Sequence, residues 1–320
     1  MQYMKYIRNQ SLYLPVEEDA ARQYIDARST YTALMQAVIK AKEVRGGLYW
    51  KKKNNQTYLI RTATDNSQKS LGPKTDENEQ IYKSFVARKT TYEARLNDLK
   101  KTMEKTERLN RALRVGRVPN IVVRLLRALE DAEISDRFIV VGTHALYAYE
   151  TEAGVLMASA AIATQDIDLL WDTRKRFKLA TQLKREDISI IDLLKNVDKS
   201  FQIRDDQKYT AVNSAGFEVD IIRREVKEGD PHPIRISHHE DDFWVTQAKR
   251  ADVLINAQRF SSIVVATNGE MAQMNTIAPQ SFVDFKKWLA NQKTREPIKR
   301  SRDKLQAQAV EQLISDGLLN

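Results

Sequence analysis

Apolar residues recur every three or four positions from about Pro15 to Val44, and Gly46-Gly47 ends the run, which predicts a helix there. The mixed run "LYWKKKNNQTYLIRTA" predicts a hairpin, with strands around Tyr49 and over 58–61 and a polar turn at Asn54-Asn55. "SQKSLGPKTDENE" reads as a loop leading to a helix capped near Thr75 or Asp76. From Glu77 to about Gly116 the chain is charged and helical, with a narrow stripe of Leu96, Leu99, Met103 and Leu113. So narrow a stripe predicts packing along one side and water elsewhere. Pro119 opens another helix, dense in apolar positions, to about Glu133.

After Ser135-Asp136 the pattern shortens into apolar strands, "RFIVVG", "QDIDLLW" and "GFEVDIIR", separated by helical stretches near 143–152, 174–184 and 188–196. "SIVVATNGEMAQMNTI" predicts a hairpin with Asn268-Gly269 as a type I′ turn. Pro279 and Pro297 open the last two helices, the second with Leu305, Ala309, Gln312 and Leu313 on its packed side. The reading is α+β in three parts: a helical N-terminal module with a small hairpin over 1–118, a mixed-sheet core over 119–278, and C-terminal helices over 279–320.

Composition narrows the class. With 320 residues the chain is long enough for two or three domains, and the absence of cysteine excludes disulfides, thiolate metal sites and a cysteine nucleophile. "MQYMKYIRNQ" has no apolar core behind its basic residues, and the run "GVLMASAAIA" is too short to span a bilayer, so a cytoplasmic protein is expected. The net charge of +9 favours anionic partners, although a solvated basic surface would give the same total. Its distribution is uneven. Ten basic residues face four acidic ones over 88–117, and six face two over 293–304.

The chemistry concentrates in "ATQDIDLLWD". Strand alternation puts Asp166, Asp168 and Leu170 on one face, with the two β-carbons roughly 6–7 Å apart. "GFEVDIIR" places Glu218, Asp220 and Ile222 together in the same way, so adjacent strands would gather three carboxylates, a donor set for Mg²⁺ or Mn²⁺. A lone D-x-D also describes a solvated strand end or a salt bridge to a nearby lysine. The strand ending in Gly142, followed by Thr143 at a helix start, favours a phosphate site, since it presents backbone N–H groups and a hydroxyl.

A strand ending in G-S or G-T, then D-x-D, then a third acidic residue on a later strand resembles the nucleotidyltransferase superfamily of DNA polymerase beta and kanamycin nucleotidyltransferase. "VVGTHALYAYE", "TQDIDLLWD" and "FEVDIIR" carry the likeness in the right order. More narrowly it is similar to the bacterial abortive-infection toxin type, which has a downstream helical Lys and a final helix with an Arg-Asp pair. "APQSFVDFKKWLA" offers Lys286 and Lys287, and "REPIKRSRDKLQAQAV" offers Arg302-Asp303. "GGLYWKKKNNQTYLIR…KSLGP" resembles a feature of an uncharacterised branch of this group.

The resemblance implies a Mg²⁺- or Mn²⁺-dependent enzyme that moves a nucleoside monophosphate from an NTP such as ATP to a hydroxyl. By it, Gly142 and Thr143 hold the β- and γ-phosphates, and Asp166 and Asp168 bind two ions. Asp220 shares the one that activates the acceptor, Lys286 or Lys287 touches the triphosphate, and Arg302 and Asp303 line the nucleotide pocket. Two positions depart from the toxin-type pattern: Gln306 stands where a second acid is common, and Ala163 where a basic residue often precedes the T-x-D-x-D run. The expected acceptor is RNA, with tRNA one candidate, held by the basic helices of 88–117 and the hairpin of 49–61. By analogy with toxin-type members an antitoxin would be a partner. The alternatives are an inactive RNA- or protein-binding module and an enzyme that modifies protein.

Other residues carry weaker signals. Lys51-Lys53 with Tyr49, Trp50 and Tyr58 suits unpaired bases, and equally suits protection of an edge strand. The tyrosines of "ALYAYE" read as packing, and His144 as a cap on the first helical turn. His232, His238 and His239 lie near Asp241 and Asp242, but adjacent histidines on an extended segment point to opposite sides, which argues against a metal site.

Overall fold

The computed structural model describes residues 12–228 and 234–320; the N-terminal "MQYMKYIRNQ" and His232 lie outside the described residues. The chain divides into two compact units, one of Arg22–Leu113, the other joining residues 12–21 to Arg114–Asn320. The last two helices therefore belong to the same unit as the sheet that precedes them, and the break falls just before Arg114.

After β1 (Tyr13–Pro15), α1 (Glu18–Glu43) runs into the first unit, where β2 (Gly47–Lys53), β3 (Gln56–Thr62) and β4 (Gln68–Pro73) form an antiparallel sheet. Asn54 and Asn55 both have positive φ, 48° and 62°, the pair of left-handed residues that a type I′ hairpin turn needs. β4 corrects the loop reading of "SQKSLGP". None of its side chains is buried, so it carries no apolar alternation and is held by backbone pairing with β3. α2 (Asp76–Ala112) begins at Thr75, whose hydroxyl accepts from Asn78 N at 3.2 Å. Its fully buried positions are Phe85, Met103, Thr106 and Asn110. Leu113, expected on the packed stripe, is the exposed C-cap instead. The Arg61 guanidinium lies 4.6 Å from the Phe85 ring centre, and Lys89 Nζ donates to Gly46 O at 2.6 Å.

Beyond Arg114 the second unit continues with α3 (Asn120–Asp131), which follows Pro119 and buries Val122, Val123, Leu125, Leu126 and Leu129. Then come β5 (Phe138–Val141), α4 (Ala145–Ala153), β6 (Val155–Met157), the single turn α5 (Ser159–Ile162) and β7 (Asp166–Trp171). α6 (Arg176–Glu186) and α7 (Ile190–Val197) precede β8 (Gln202–Ile203), β9 (Thr210–Val212) and β10 (Glu218–Arg224). β11 (Thr246–Ala248), α8 (Ala251–Asn256), the hairpin β12 (Arg259–Val265) and β13 (Met271–Ile277), α9 (Pro279–Ala290) and α10 (Pro297–Ser315) complete the unit. β1 pairs with β6.

The main sheet has the order β5-β7-β10-β9-β8, with β11 also on β10. β7 and β11 run parallel to β10, and the other pairs are antiparallel, so the α+β class with a mixed sheet holds. Two bonds tie the β12–β13 hairpin to the core: Thr276 Oγ1 donates to Val140 O and Tyr149 Oη to Ile277 O, each at 2.8 Å. Its turn is not type I′. Gly269 alone has positive φ, 91°, Gly269 N donates to Ala266 O and Ala266 N to Glu270 O, as in a type I turn closed by a glycine bulge. Arg117 joins β6 to α4: Nε donates to Glu150 Oε1 at 2.9 Å, Nη2 to Glu150 Oε2 and Met157 O, and Met157 N to Glu150 Oε2. Among the described residues no helix is long and apolar enough to cross a membrane.

Candidate active site

Register on the central strands decides where the acidic side chains meet. β7 and β10 pair in parallel with Asp168 opposite Asp220 and Asp166 opposite Glu218. On the other side of β7, Val141 of β5 is opposite Asp168. The chain then turns at Gly142 with φ 71° and passes through Thr143 and His144 into α4. Asp168 is thus flanked by the Gly142 turn on one side and Asp220 on the other. The buried alternates, Ile167 and Leu169 on β7 and Val219 and Ile221 on β10, fix which face the carboxylates share.

Four carboxylates on one sheet face need compensation, and the chain supplies part of it. Thr164 donates its hydroxyl to Asp166 Oδ1, and Thr210, opposite Asp220 on β9, donates to Asp220 Oδ1. Arg204 donates to Glu218 Oε1 at 2.9 Å and also to Asp206. Among the described residues no such donor stands beside Asp168. Burial, then the charges of Asp166 and Asp220, push its carboxyl up to about 7, against the pull of Lys286 and Arg295. Burial also raises the Asp220 carboxyl, and the Thr210 hydrogen bond opposes it. A face that holds protons this tightly has room for positive charge, and an all-oxygen donor set fits a hard divalent ion. Among the described residues the three aspartates do not bring their ligand atoms together as a closed group, and Asp166 and Asp220 each accept from a threonine.

The carboxylates form one wall of a cleft of about 550 Å³, with Gly142, Thr143, Asp166 and Asp168 facing Lys286, Arg295, Lys299 and Arg302. α9 and α10 carry most of the positive wall. Buried Asp303 on α10 accepts from Lys286 Nζ at 3.0 Å and from Arg295 Nε at 2.5 Å, so one carboxylate holds both cations. Burial lowers the Lys286 ammonium, opposed chiefly by Asp303. Gln306, one turn farther on, donates through Nε2 to Thr143 Oγ1 at 3.1 Å and to Ala161 O at 2.7 Å. Arg302 Nη1 reaches Ala163 O at 3.3 Å, which sets a guanidinium beside the position where the sequence lacks a basic residue.

Residues 120–318, more than half of the chain, match a family model described as nucleotidyltransferase. The chain belongs to that family. No curated protein and no solved structure matches it.

In this nucleotidyltransferase-family chain the residues singled out from the sequence do not all meet. Asp166, Asp168, Gly142, Thr143, Lys286 and Arg302 line one cleft. Asp220 stands beside Asp168 but outside the lining. Lys287 faces away, paired with Glu311 at 2.5 Å, because adjacent positions on a helix diverge. Asp303 does not line the pocket either; it is fully buried and acts through Lys286 and Arg295. Arg295, Arg204, Thr210 and the hydrogen bond of Gln306 carried no sequence signal, since each depends on tertiary contact.

His144 occupies the N-cap position but makes no cap hydrogen bond. Its ring is buried against Tyr147 and Phe217, and burial pushes its pKa down to about 4. Tyr147 and Tyr149 are buried, as packing requires. His238 and His239 do not diverge: the segment bends there, and their ring centres are 4.1 Å apart. In the other unit, Lys51, Lys53, Asn54 and Tyr58 line a concavity of about 530 Å³.

Proposed function

We propose that this chain is a divalent-metal-dependent nucleotidyltransferase that transfers a nucleoside monophosphate from an NTP to a hydroxyl of RNA. The observation that carries the reading is the register of Asp168 between Asp220 and the Gly142-Thr143 turn, opposite a cationic wall. Mg²⁺ or Mn²⁺ bound by Asp166, Asp168 and Asp220 would neutralise the triphosphate and favour the acceptor alkoxide.

The chain's own residues do the rest. The Gly142 turn and the Thr143 hydroxyl hold the β- and γ-phosphates. Gln306 donates to Thr143 Oγ1, which leaves that hydroxyl's own proton for a phosphate oxygen. Lys286, Arg295 and Arg302 take up charge on the phosphates, and Asp303 keeps the first two aimed. The acceptor hydroxyl enters on the Asp220 side, its oxygen bonds to the α-phosphorus, its proton is lost toward Asp220, and the bond to the bridging oxygen breaks to release pyrophosphate.

RNA as acceptor is favoured by the net charge of +9 and its concentration over 88–117. A partner antitoxin belongs to the same proposal only through the resemblance to toxin-type members. Incubation with each labelled NTP, Mg²⁺ and total RNA tests the reading. Release of pyrophosphate with label transfer, abolished in Asp168→Asn, is expected. Salt-sensitive RNA binding with no transfer from any NTP would mark an inactive binding module instead, and label on protein rather than RNA would move the acceptor.

A further inference from the structure

One group of metal-ligating side chains lies outside the lining of the cleft. Among the described residues, Asp187, His238 and His239 are the group of three metal-ligating side chains whose ligand atoms all lie within 4.8 Å of one another. Nε2 of His238 is 3.8 Å from Asp187 Oδ1, and Nε2 of His239 is 3.9 Å from the same oxygen. Both are too long for hydrogen bonds. They are near the spacing of ligands around one ion, since bonds of about 2.0–2.1 Å in a tetrahedron put ligand atoms about 3.3 Å apart. The histidine nitrogens lie within 4.8 Å of each other, so side-chain movement of about an ångström closes the group around one ion.

A second observation is independent of that spacing. His239 Nε2 is buried and has no hydrogen-bond partner. Buried polar atoms are rarely left so unless an ion or water completes them. The surrounding backbone is also held in place without using either imidazole. Asp187 is the left-handed C-cap of α6, and α7 begins three residues later behind a capping box of Ser189 and Asp192. The histidine segment is tied to that same helix start. Buried Asp242 accepts from Ile190 N at 3.0 Å and Ile191 N at 3.1 Å, while its own N donates to His239 O at 3.3 Å. His239 N donates to Ser237 Oγ at 3.2 Å. Two distant segments are thus fixed to one corner, and their three ligating groups converge.

We propose that Asp187, His238 and His239 form a second metal site, for a transition-metal dication of the Zn²⁺ class. Two imidazole nitrogens and one carboxylate oxygen suit Zn²⁺, Co²⁺ or Ni²⁺, whereas Mg²⁺ prefers oxygen alone. Three protein ligands leave the fourth position to water or an incoming donor. Bound there, the ion clamps the histidine segment to the α6–α7 corner and stabilises the folded chain by mass action.

The test uses the full chain, stripped by a chelator and titrated with Zn²⁺ by calorimetry and with Co²⁺ by visible absorption. One Zn²⁺ equivalent is expected that persists in Asp166→Asn/Asp168→Asn and is not displaced by millimolar Mg²⁺. Asp187→Ala and His238→Ala/His239→Ala should each weaken it by more than about tenfold. Asp187 is 86% exposed, so its truncation leaves the packing intact and keeps the test valid if the double variant misfolds. Equal Zn²⁺ affinity in Asp187→Ala and wild type, displacement by Mg²⁺, or no Zn²⁺ uptake at micromolar concentration would overturn the proposal.

Discussion

A β-carbon on Gly142 would stand 2.2 Å from Oδ2 of Asp168. The carboxylate occupies the space that any other residue's side chain would begin to fill. Gly142 also has φ 71°, where L side chains are strained. Gly142→Ala should therefore displace Asp168 and the turn together. Nucleotide transfer should fall to background, and unfolding by urea should show a loss of at least about 1 kcal/mol. Wild-type activity in this variant would remove the turn from the proposed mechanism.

The Asp168 carboxyl, raised from 3.8 to about 7, makes metal-free stability depend on pH. The folded chain keeps this proton to a higher pH than the unfolded chain does. Through this group, stability is full below about 4 and declines as pH rises to about 7. Urea midpoints of wild type should fall relative to Asp168→Asn across that window. Mg²⁺ should recover stability in alkaline buffer for wild type and not for the variant.

Adjacent lysines on α9 should behave differently. Lys286 faces the cleft and is held by Asp303, whereas Lys287 pairs with Glu311 outside it. Lys286→Met is expected to lower kcat by on the order of 100-fold, the usual cost of losing one donor to developing charge. Lys287→Met should leave kcat within about twofold, since an exposed ion pair contributes little. Steady-state pyrophosphate release on both variants separates the two.

Glu150 is buried and accepts from Arg117 and from Met157 N. Glu150→Ala removes the ion-pair partner of Arg117, which keeps only its bond to Met157 O, and leaves Met157 N without its acceptor; it should cost about 3–5 kcal/mol in chemical denaturation. Replacing Arg117 and Glu150 together by apolar residues should cost less than the single change. A double-mutant cycle measures that difference.

The basic concavity of the smaller unit gives a salt-dependence prediction. Lys51→Ala with Lys53→Ala should reduce the slope of log affinity against log salt for single-stranded RNA by about 0.7 per lost phosphate contact. Tyr58→Ala should weaken binding by about 1–3 kcal/mol without changing the slope. Asp168→Asn should change neither quantity in filter-binding measurements.

How much of this was legible in the sequence depends on how local the cause is. Alternation along β7 and β10 showed in advance that Asp166 and Asp168 share a face and that Asp220 has the phase to join them. The Gly142-Thr143 turn was readable for the same reason, being two adjacent residues between a strand and a helix. β4 leaves no signal because an exposed strand has no apolar rhythm, and the class of the Asn268-Gly269 turn depends on which strand residues pair across it. The segment that brings His238 beside His239 is tied through Asp242 to the start of α7, which lies far from it in sequence. Arg295 and Gln306 take their places from tertiary contacts, Arg295 with Asp303 and Gln306 with Thr143.

Asp303 lies late in the chain, well after the acidic strands whose charge its two cationic partners offset. The acidic strands lie between residues 166 and 224, while Lys286, Arg295 and the carboxylate that fixes them come later in the chain. A nascent chain that has completed its sheet carries the repelling aspartates and none of the cationic wall. Only when α10 has left the ribosome can Asp303 lock Lys286 and Arg295 in place. A nascent chain that stops short of α10 therefore carries the acidic wall of the cleft without the carboxylate that fixes the cationic one.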